Sequence, residues 1–311
     1  MARKKMGVKA KNRLIDTFLY ILLVIISIVW VIPVVFTFMT AFRAESGSST
    51  SLLPENGFTL YNFLYLLGIK KRYIIQNGQA YMNYSTAQYP YLRWVLNTLI
   101  VSVFTTLIST LFVLGVSYAM SRLRFKSRKT LMSINLILGM FPGFMALAAI
   151  YNILKLVNMT GKDVTWLSNL TGLIIANSAC AGMGFYVMKG FFDTIPKSMD
   201  EAARIDGASN MKIFFQITLP LSKPIIVYTI LTSFMGPWVN YILPAYICGT
   251  KTNNWTVPLG VYSLQKGLDG SASRFTLFFA GSVLVSIPII ALFLATQKYY
   301  VSGVTGGAVK G

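Results

Sequence analysis

The chain has 311 residues, of which 55% are hydrophobic and only 12% charged, and its formal net charge is +19. Soluble proteins average about 25% charged residues, so lipid rather than water is the expected solvent for much of it. The absence of histidine excludes His-dependent triads, HExxH zinc sites and imidazole acid–base chemistry.

Six stretches carry no charge and are long enough to cross a bilayer: 17–42, 94–121, 130–154, 164–188, 224–250 and 275–297. A helix needs about 20 residues to cross roughly 30 Å of hydrocarbon. None of the stretches alternates apolar with polar residues, which argues against a β-barrel. The first exceeds the roughly 7–15 residues of a signal-peptide core, so it reads as an uncleaved first span. Residues 1–16 then form a basic N-terminal segment, and 17–311 a single six-helix membrane domain. Cys180 and Cys248 lie within apolar stretches and read as small buried residues.

Lys and Arg set the expected topology. Six precede the first span, five crowd into 122–129, five lie in 189–223 and two in the tail 298–311. The alternate segments 43–93, 155–163 and 251–274 hold five, two and three. The positive-inside rule therefore places both termini in the cytoplasm. Topology and anionic lipid headgroups account for the basic surplus without nucleic acid. The outer segment 43–93 is rich in tyrosine, including Tyr61, Tyr65, Tyr73, Tyr81, Tyr84, Tyr89 and Tyr91. Tyrosine suits a membrane interface, and equally sugar stacking or a protein contact.

Loop 189–223 differs from the others. Ser198 stands three residues before Glu201, a capping-box spacing, and Asp200 and Glu201 favour the positive end of a helix dipole. Gly207 fits a helix-ending position with positive φ. Ser209 can cap a second short helix through Met211, Ile213, Phe214 and Ile217, which Pro220 and Pro224 end. The expected product is a helix–turn–helix that either fills a partner's groove or lies on lipid.

The run Glu201-Ala202-Ala203, three residues, Gly207, nine residues, Ile217, one residue, Leu219-Pro220 resembles the EAA loop of ABC importer permeases at every defined position. In that family the loop is a coupling helix docked in an ATPase subunit. The resemblance gives Glu201 an ionic contact, the alanines close packing and Gly207 the turn. Asp206, directly before that glycine, belongs to the same candidate set. SYAMSRLRFKSRK at 117–129 looks like the loop after the second span of carbohydrate permeases. The tail SGVTGGAVKG at 302–311 is similar to that of the maltose/maltodextrin-type partner subunit. There it reaches the ATPases, which makes Gly306, Gly307 and Lys310 candidate contacts. The resemblance implies an all-α type I importer permease fold in a bacterial plasma membrane. It also implies a second, different permease, two ATPase subunits and an extracytoplasmic sugar-binding protein as partners.

No GxxxxGK[ST] phosphate cradle is present, so this chain is expected to be no enzyme and to bind no cofactor. ATP and Mg would be held by the partner ATPases and drive alternating access. The uncharged spans contain Asn177, Trp238, Asn240 and Tyr241, whose amides and aromatic faces suit a sugar path or, alternatively, interhelical packing. The outer loop 251–274, with Asn253, Asn254 and Trp255, resembles in position one that probes a binding protein's sugar cleft. The main rival is an ion-coupled secondary transporter. Proton coupling usually needs an intramembrane carboxylate, and the six spans have none. A second rival, a membrane enzyme, would use Asp193, Asp200, Glu201 and Asp206 as a metal cluster. A third is a structural scaffold.

Overall fold

The computed structural model describes residues 8–44, 53–69, 72–76, 79–83, 89–141, 143–161, 164–179, 184–266 and 274–308. In chain order they form α1 (Val8–Ala41), α2 (Tyr61–Leu66), β1 (Arg72–Gln76), β2 (Gln79–Asn83) and α3 (Tyr91–Arg122). Next come α4 (Arg128–Gly139), α5 (Gly143–Leu156), α6 (Trp166–Ala179), α7 (Phe185–Thr194) and α8 (Lys197–Ile205). The rest are α9 (Asn210–Ile213), a π-helical turn Phe214–Thr218, α10 (Leu219–Leu221), α11 (Lys223–Val239), α12 (Ile242–Ile247), α13 (Val257–Lys266) and α14 (Phe275–Ala308). The architecture is helical, as expected, except for the antiparallel hairpin β1–β2, which pairs Arg72 with Asn83 through Gln76 with Gln79.

Three described helices are individually long and apolar enough to cross a membrane: Asn12–Ala41, Tyr91–Arg122 and Phe275–Lys298. They correspond to the first, second and sixth expected spans. Of the other three uncharged stretches, the third and the fifth are not continuous helices. The third divides between α4 and α5, around the sequence Gly-Met-Phe-Pro-Gly at 139–143. A residue before proline avoids the helical region, so helices tend to end there. The fourth holds α6 and α7, with residues 180–183 between them outside the described residues, and the fifth divides between α11 and α12, where Asn240 turns extended (φ −89°, ψ 113°).

The chain forms two compact units. One comprises residues 1–84 and 264–284. Its α1 exposes large apolar side chains along its length, including Phe18, Trp30 and Ile32, as a helix facing lipid or another subunit does. At the end of α1 the amide of buried Asn62 donates to the Ala41 and Arg43 carbonyls at 2.9 and 2.8 Å. Phe36 meets Phe279 edge-on at 5.7 Å.

The other unit comprises residues 85–263 and 285–311, and α3 packs against α6, α7 and α11 at its centre. Between the large residues at its ends, the buried side of α3 is mostly small and polar, with Thr98, Ser102, Thr105, Ser109 and Ser117. Its exposed side carries Leu99, Phe104, Leu107, Leu111 and Phe112. Lipid tails are as apolar as leucine, so burial of large side chains drives nothing here. Small residues instead let backbones approach and gain van der Waals contact.

Candidate functional site

The loop after α7 carries the residues singled out by the EAA pattern. Ile195 is extended (φ −75°, ψ 125°) and Pro196 occupies the N-cap position of α8 with no side-chain capping bond. The capping box expected from Ser198 and Glu201 is therefore not the helix start, because α8 already begins at Lys197. Asp200 does fall in the first turn and Arg204 in the last, matching the helix dipole at both ends.

The end of α8 follows the sequence closely. Gly207 has φ +79°; its N–H donates to Arg204 O at 3.0 Å, and the Ala208 N–H to Ala203 O at 2.9 Å. This pair of bonds is a Schellman motif, and it needs a left-handed residue where glycine stands. The Ser209 hydroxyl then caps α9 by accepting from the Lys212 N–H at 3.3 Å. Residues Asn210–Leu221 meet Lys223–Val239 at an 81° bend, with Pro224 in the first turn of α11. A sharp turn between two proline-marked segments makes the first arm a part of the loop rather than of the following span.

The loop is fastened to α3. Arg122 Nε faces Asp200 Oδ2 at 3.2 Å, and both side chains are buried, at 2% and 6% exposure. Arg122 Nη2 donates to the carbonyls of Phe192 and Ile195, each at 2.9 Å. One guanidinium thereby joins α3, the end of α7 and α8. Tyr118 adds a bond to Asn210 O at 2.9 Å and a ring contact with Phe214 at 4.7 Å. Val113, Met188 and Phe192 complete the packed cluster around Tyr118.

Asp193 accepts from the Ser121 hydroxyl at 2.6 Å and pairs with Lys189 at 2.5 Å. Partial burial, the largest single influence, raises its carboxyl pKa. The bonds from Lys189 and Ser121 and the charges of Lys189 and Arg128 outweigh that and hold it below the ordinary value. The ionised form is thus favoured by the fold, and its contribution is lost as pH falls through the lowered value. This arrangement corrects the metal reading of the four carboxylates. Asp193 and Asp200 each face their own cation, and the described residues contain no group of three or more metal-ligating side chains.

Within the motif, Glu201, Ala202, Asp206, Gly207 and Pro220 are exposed, and Ala203, Ile217 and Leu219 half-buried. The same surface shows Ile205 at 87%, Met211 at 63% and Phe215 at 57% exposure. Apolar side chains so exposed on a charged helix pair mark a contact surface.

The candidate path residues separate. Asn177 and Asn240 line one crevice with Val101, Leu173, Pro237 and Thr256, too tight for a water molecule. The Asn177 amide donates to Leu173 O, and Asn240 Oδ1 accepts from the Ile242 and Leu243 N–H groups. Trp238 is buried instead, tilted against Phe234 at 6.0 Å, and half-exposed Tyr241 stacks on Tyr262 at 4.5 Å.

In the loop 251–274, residues 267–273 lie outside the described residues, Asn253 is exposed, and Asn254 and Trp255 are buried. Asn97 is the hub that holds them. Its amide donates to Asn253 O at 2.9 Å and Trp255 O at 2.8 Å, and its Oδ1 accepts from Trp166 Nε1 at 2.8 Å. Trp94 Nε1 donates to Thr252 O, and the Val257 N–H to the Thr98 hydroxyl, both at 2.8 Å. Gly306 and Gly307 lie in the last turns of α14, whereas Lys310, Cys180 and Tyr84 lie outside the described residues.

A multi-helix membrane protein with a braced helix pair projecting from it is the class these features define. Residues 111–306 match the family model of the binding-protein-dependent transport system inner membrane component, and the chain belongs to that family. It is 36% identical over 299 residues to a galactooligosaccharides transport system permease protein, GanQ, of Bacillus subtilis (strain 168), covering 94% of this chain and 95% of that one. It is 32% identical over 305 residues to a maltodextrin transport system permease protein, MalD, of Streptococcus pneumoniae (strain ATCC BAA-255 / R6), covering 98% and 99%. A solved bacterial ABC transporter that imports the acidic polysaccharide alginate shares the fold. Its TM-score is 0.69 at 20% identity, over 96% of this chain and 100% of that one.

Proposed function

We propose that this chain is one of two different permease subunits of an ATP-driven importer that carries an oligosaccharide of the maltodextrin or galactooligosaccharide kind into the cytoplasm. The observation that carries the reading is the helix pair α8–α9, which presents Glu201, Ala202 and Gly207 on an exposed, partly apolar surface while Arg122 ties its base to α3. An element fixed at its base and open at its tip suits docking into an ATPase subunit. The sugar preference is supported by the two relatives, permeases of galactooligosaccharide and maltodextrin transport systems. Both termini lie in the cytoplasm in this reading, because the basic residues concentrate on that side. Two ATPase subunits bind ATP and Mg, and an extracytoplasmic binding protein delivers the sugar. ATP binding moves the coupling helices and turns the membrane cavity outward.

Purification from the native membrane in mild detergent tests this. Co-purification of a second permease and an ATPase is expected, with hydrolysis stimulated by sugar-loaded binding protein. Gradient-driven uptake by the lone chain would instead establish a secondary transporter. Gly207→Val gives the local test. No atom lies within 4 Å of an added Cβ, so the substitution acts through the backbone at φ +79°. Left-handed geometry costs an L-residue about 1–2 kcal/mol, and more for a β-branched one. The expected result is normal membrane insertion with uptake reduced at least about tenfold, the equivalent of 1.4 kcal/mol. Unchanged uptake would remove Gly207 from the coupling element.

A further inference from the structure

A cavity of about 790 Å³ opens beside the loop, between the end of α3, the turn that follows it and α8. Five cations line it: Arg122, Arg124, Arg128, Lys197 and Arg204. Only Asp200 and Glu201 oppose them, and Asp200 is already matched by Arg122. Four lining cations are thus left with Glu201 and, for Arg128, the nearby charge of Asp193, which Lys189 already matches. Arg122 Nη1 is buried and has no acceptor among the described residues. Topology requires basic residues only on the correct side of the membrane; it does not require them to converge on one concavity. Guanidinium groups so gathered match the oxygens of a phosphate group, which can accept two parallel bonds from each.

The position narrows the source of the phosphate. The apolar α3 ends at Arg122, and α4, which begins at Arg128, buries none of its residues. The basin therefore lies where one membrane helix leaves the hydrocarbon and another surface-exposed apolar helix begins. Leu123 and Phe125, the latter 40% exposed, supply apolar contact at its wall. We propose that this basin binds a phosphate group, that of an anionic phospholipid headgroup, and that the lipid clamps the end of α3 to α8. The cytoplasmic placement of the basin rests on the topology proposed above; the binding does not, and it is read without transport.

The full chain, with whatever subunits co-purify, is stripped of lipid in neutral detergent and examined by native mass spectrometry. The probes are dioleoyl-phosphatidylglycerol, dioleoyl-phosphatidylcholine and inorganic phosphate. The wild type should retain phosphatidylglycerol about thirtyfold more tightly than Arg124→Gln/Arg128→Gln, each basic side chain near the surface contributing about fivefold. Arg124→Lys/Arg128→Lys should keep most of the retention, which separates charge loss from misfolding. Retention of inorganic phosphate, with phosphatidylglycerol held no better than phosphatidylcholine, would keep the site and make the free anion its ligand. Equal phosphatidylglycerol retention by the wild type and the Gln variant overturns the proposal. So does a Gln variant that keeps its lipid but loses its ATPase subunits, since the basin then seats an acidic protein segment.

Discussion

Arg122→Met is expected to abolish sugar uptake while leaving the chain in the membrane. Arg122 is buried and is the shared partner of Asp200 and of the Phe192 and Ile195 carbonyls. Methionine fills similar space but leaves Asp200 without its buried ion-pair partner and two carbonyls without their donor. Removing one member of a buried ion pair costs about 3–5 kcal/mol. That cost falls on the docking of α8 against α3 and not on the long apolar helices α1, α3 and α14. Proteolysis should cut the α8–α9 loop of the variant faster, with total chain unchanged. Arg122→Met/Asp200→Leu, which removes both charges, should recover part of the protection. Wild-type uptake and protease resistance in the single variant would show that the ion pair does not hold the loop.

The second large effect is expected at Gly260. A Cβ built there would lie 2.0 Å from Trp94 Cε3 and 2.3 Å from its Cδ2. The indole has no room to retreat. Trp94 is fully buried, its Nε1 is bonded to Thr252 O, and Tyr89, Tyr91 and Trp255 surround the ring. Inserting a methyl into such a site costs about 1–3 kcal/mol or more. Gly260→Ala should therefore unfold in detergent several degrees below the wild type. Gly236→Ala in α11, where an added Cβ meets nothing within 4 Å, should equal or exceed it. Equal melting of all three proteins would mean that α13 can shift away from Trp94 at no cost.

Much of the candidate loop could be read from the sequence because its geometry is local. Gly207 and Ser209 declare a helix end and a helix start with side chains that act on neighbouring backbone, and both occur as expected. Ser198 misled for the same reason. Its spacing to Glu201 suits a cap, but Pro196, with its fixed φ, starts the helix earlier. Arg122 was legible only as one of a basic cluster, since nothing local distinguishes a charge that sets topology from one that pairs with Asp200, 78 positions later. The spans were legible as uncharged stretches, but hydropathy is blind to the breaks that divide the third and the fifth. The β1–β2 hairpin had a signal that went unused: Asn77-Gly78, a dipeptide favoured in two-residue hairpin turns, stands between Gln76 and Gln79. Trp238 suited a sugar path on paper but is buried, because an indole gives no sign in sequence of which way it packs.

The fastenings at the two ends of α3 have a mechanical consequence. Its last turn is gripped by the loop through Arg122 and Ser121, and its first turns by residues 252–257 through Trp94, Asn97 and Thr98. The unbroken helix that carries both grips is 32 residues long, about 48 Å at 1.5 Å per residue. Such a rod behaves as a strut. A push delivered at the end held by the loop arrives at the end held by residues 252–257 in one stiff member, without a relay of intermediate switches.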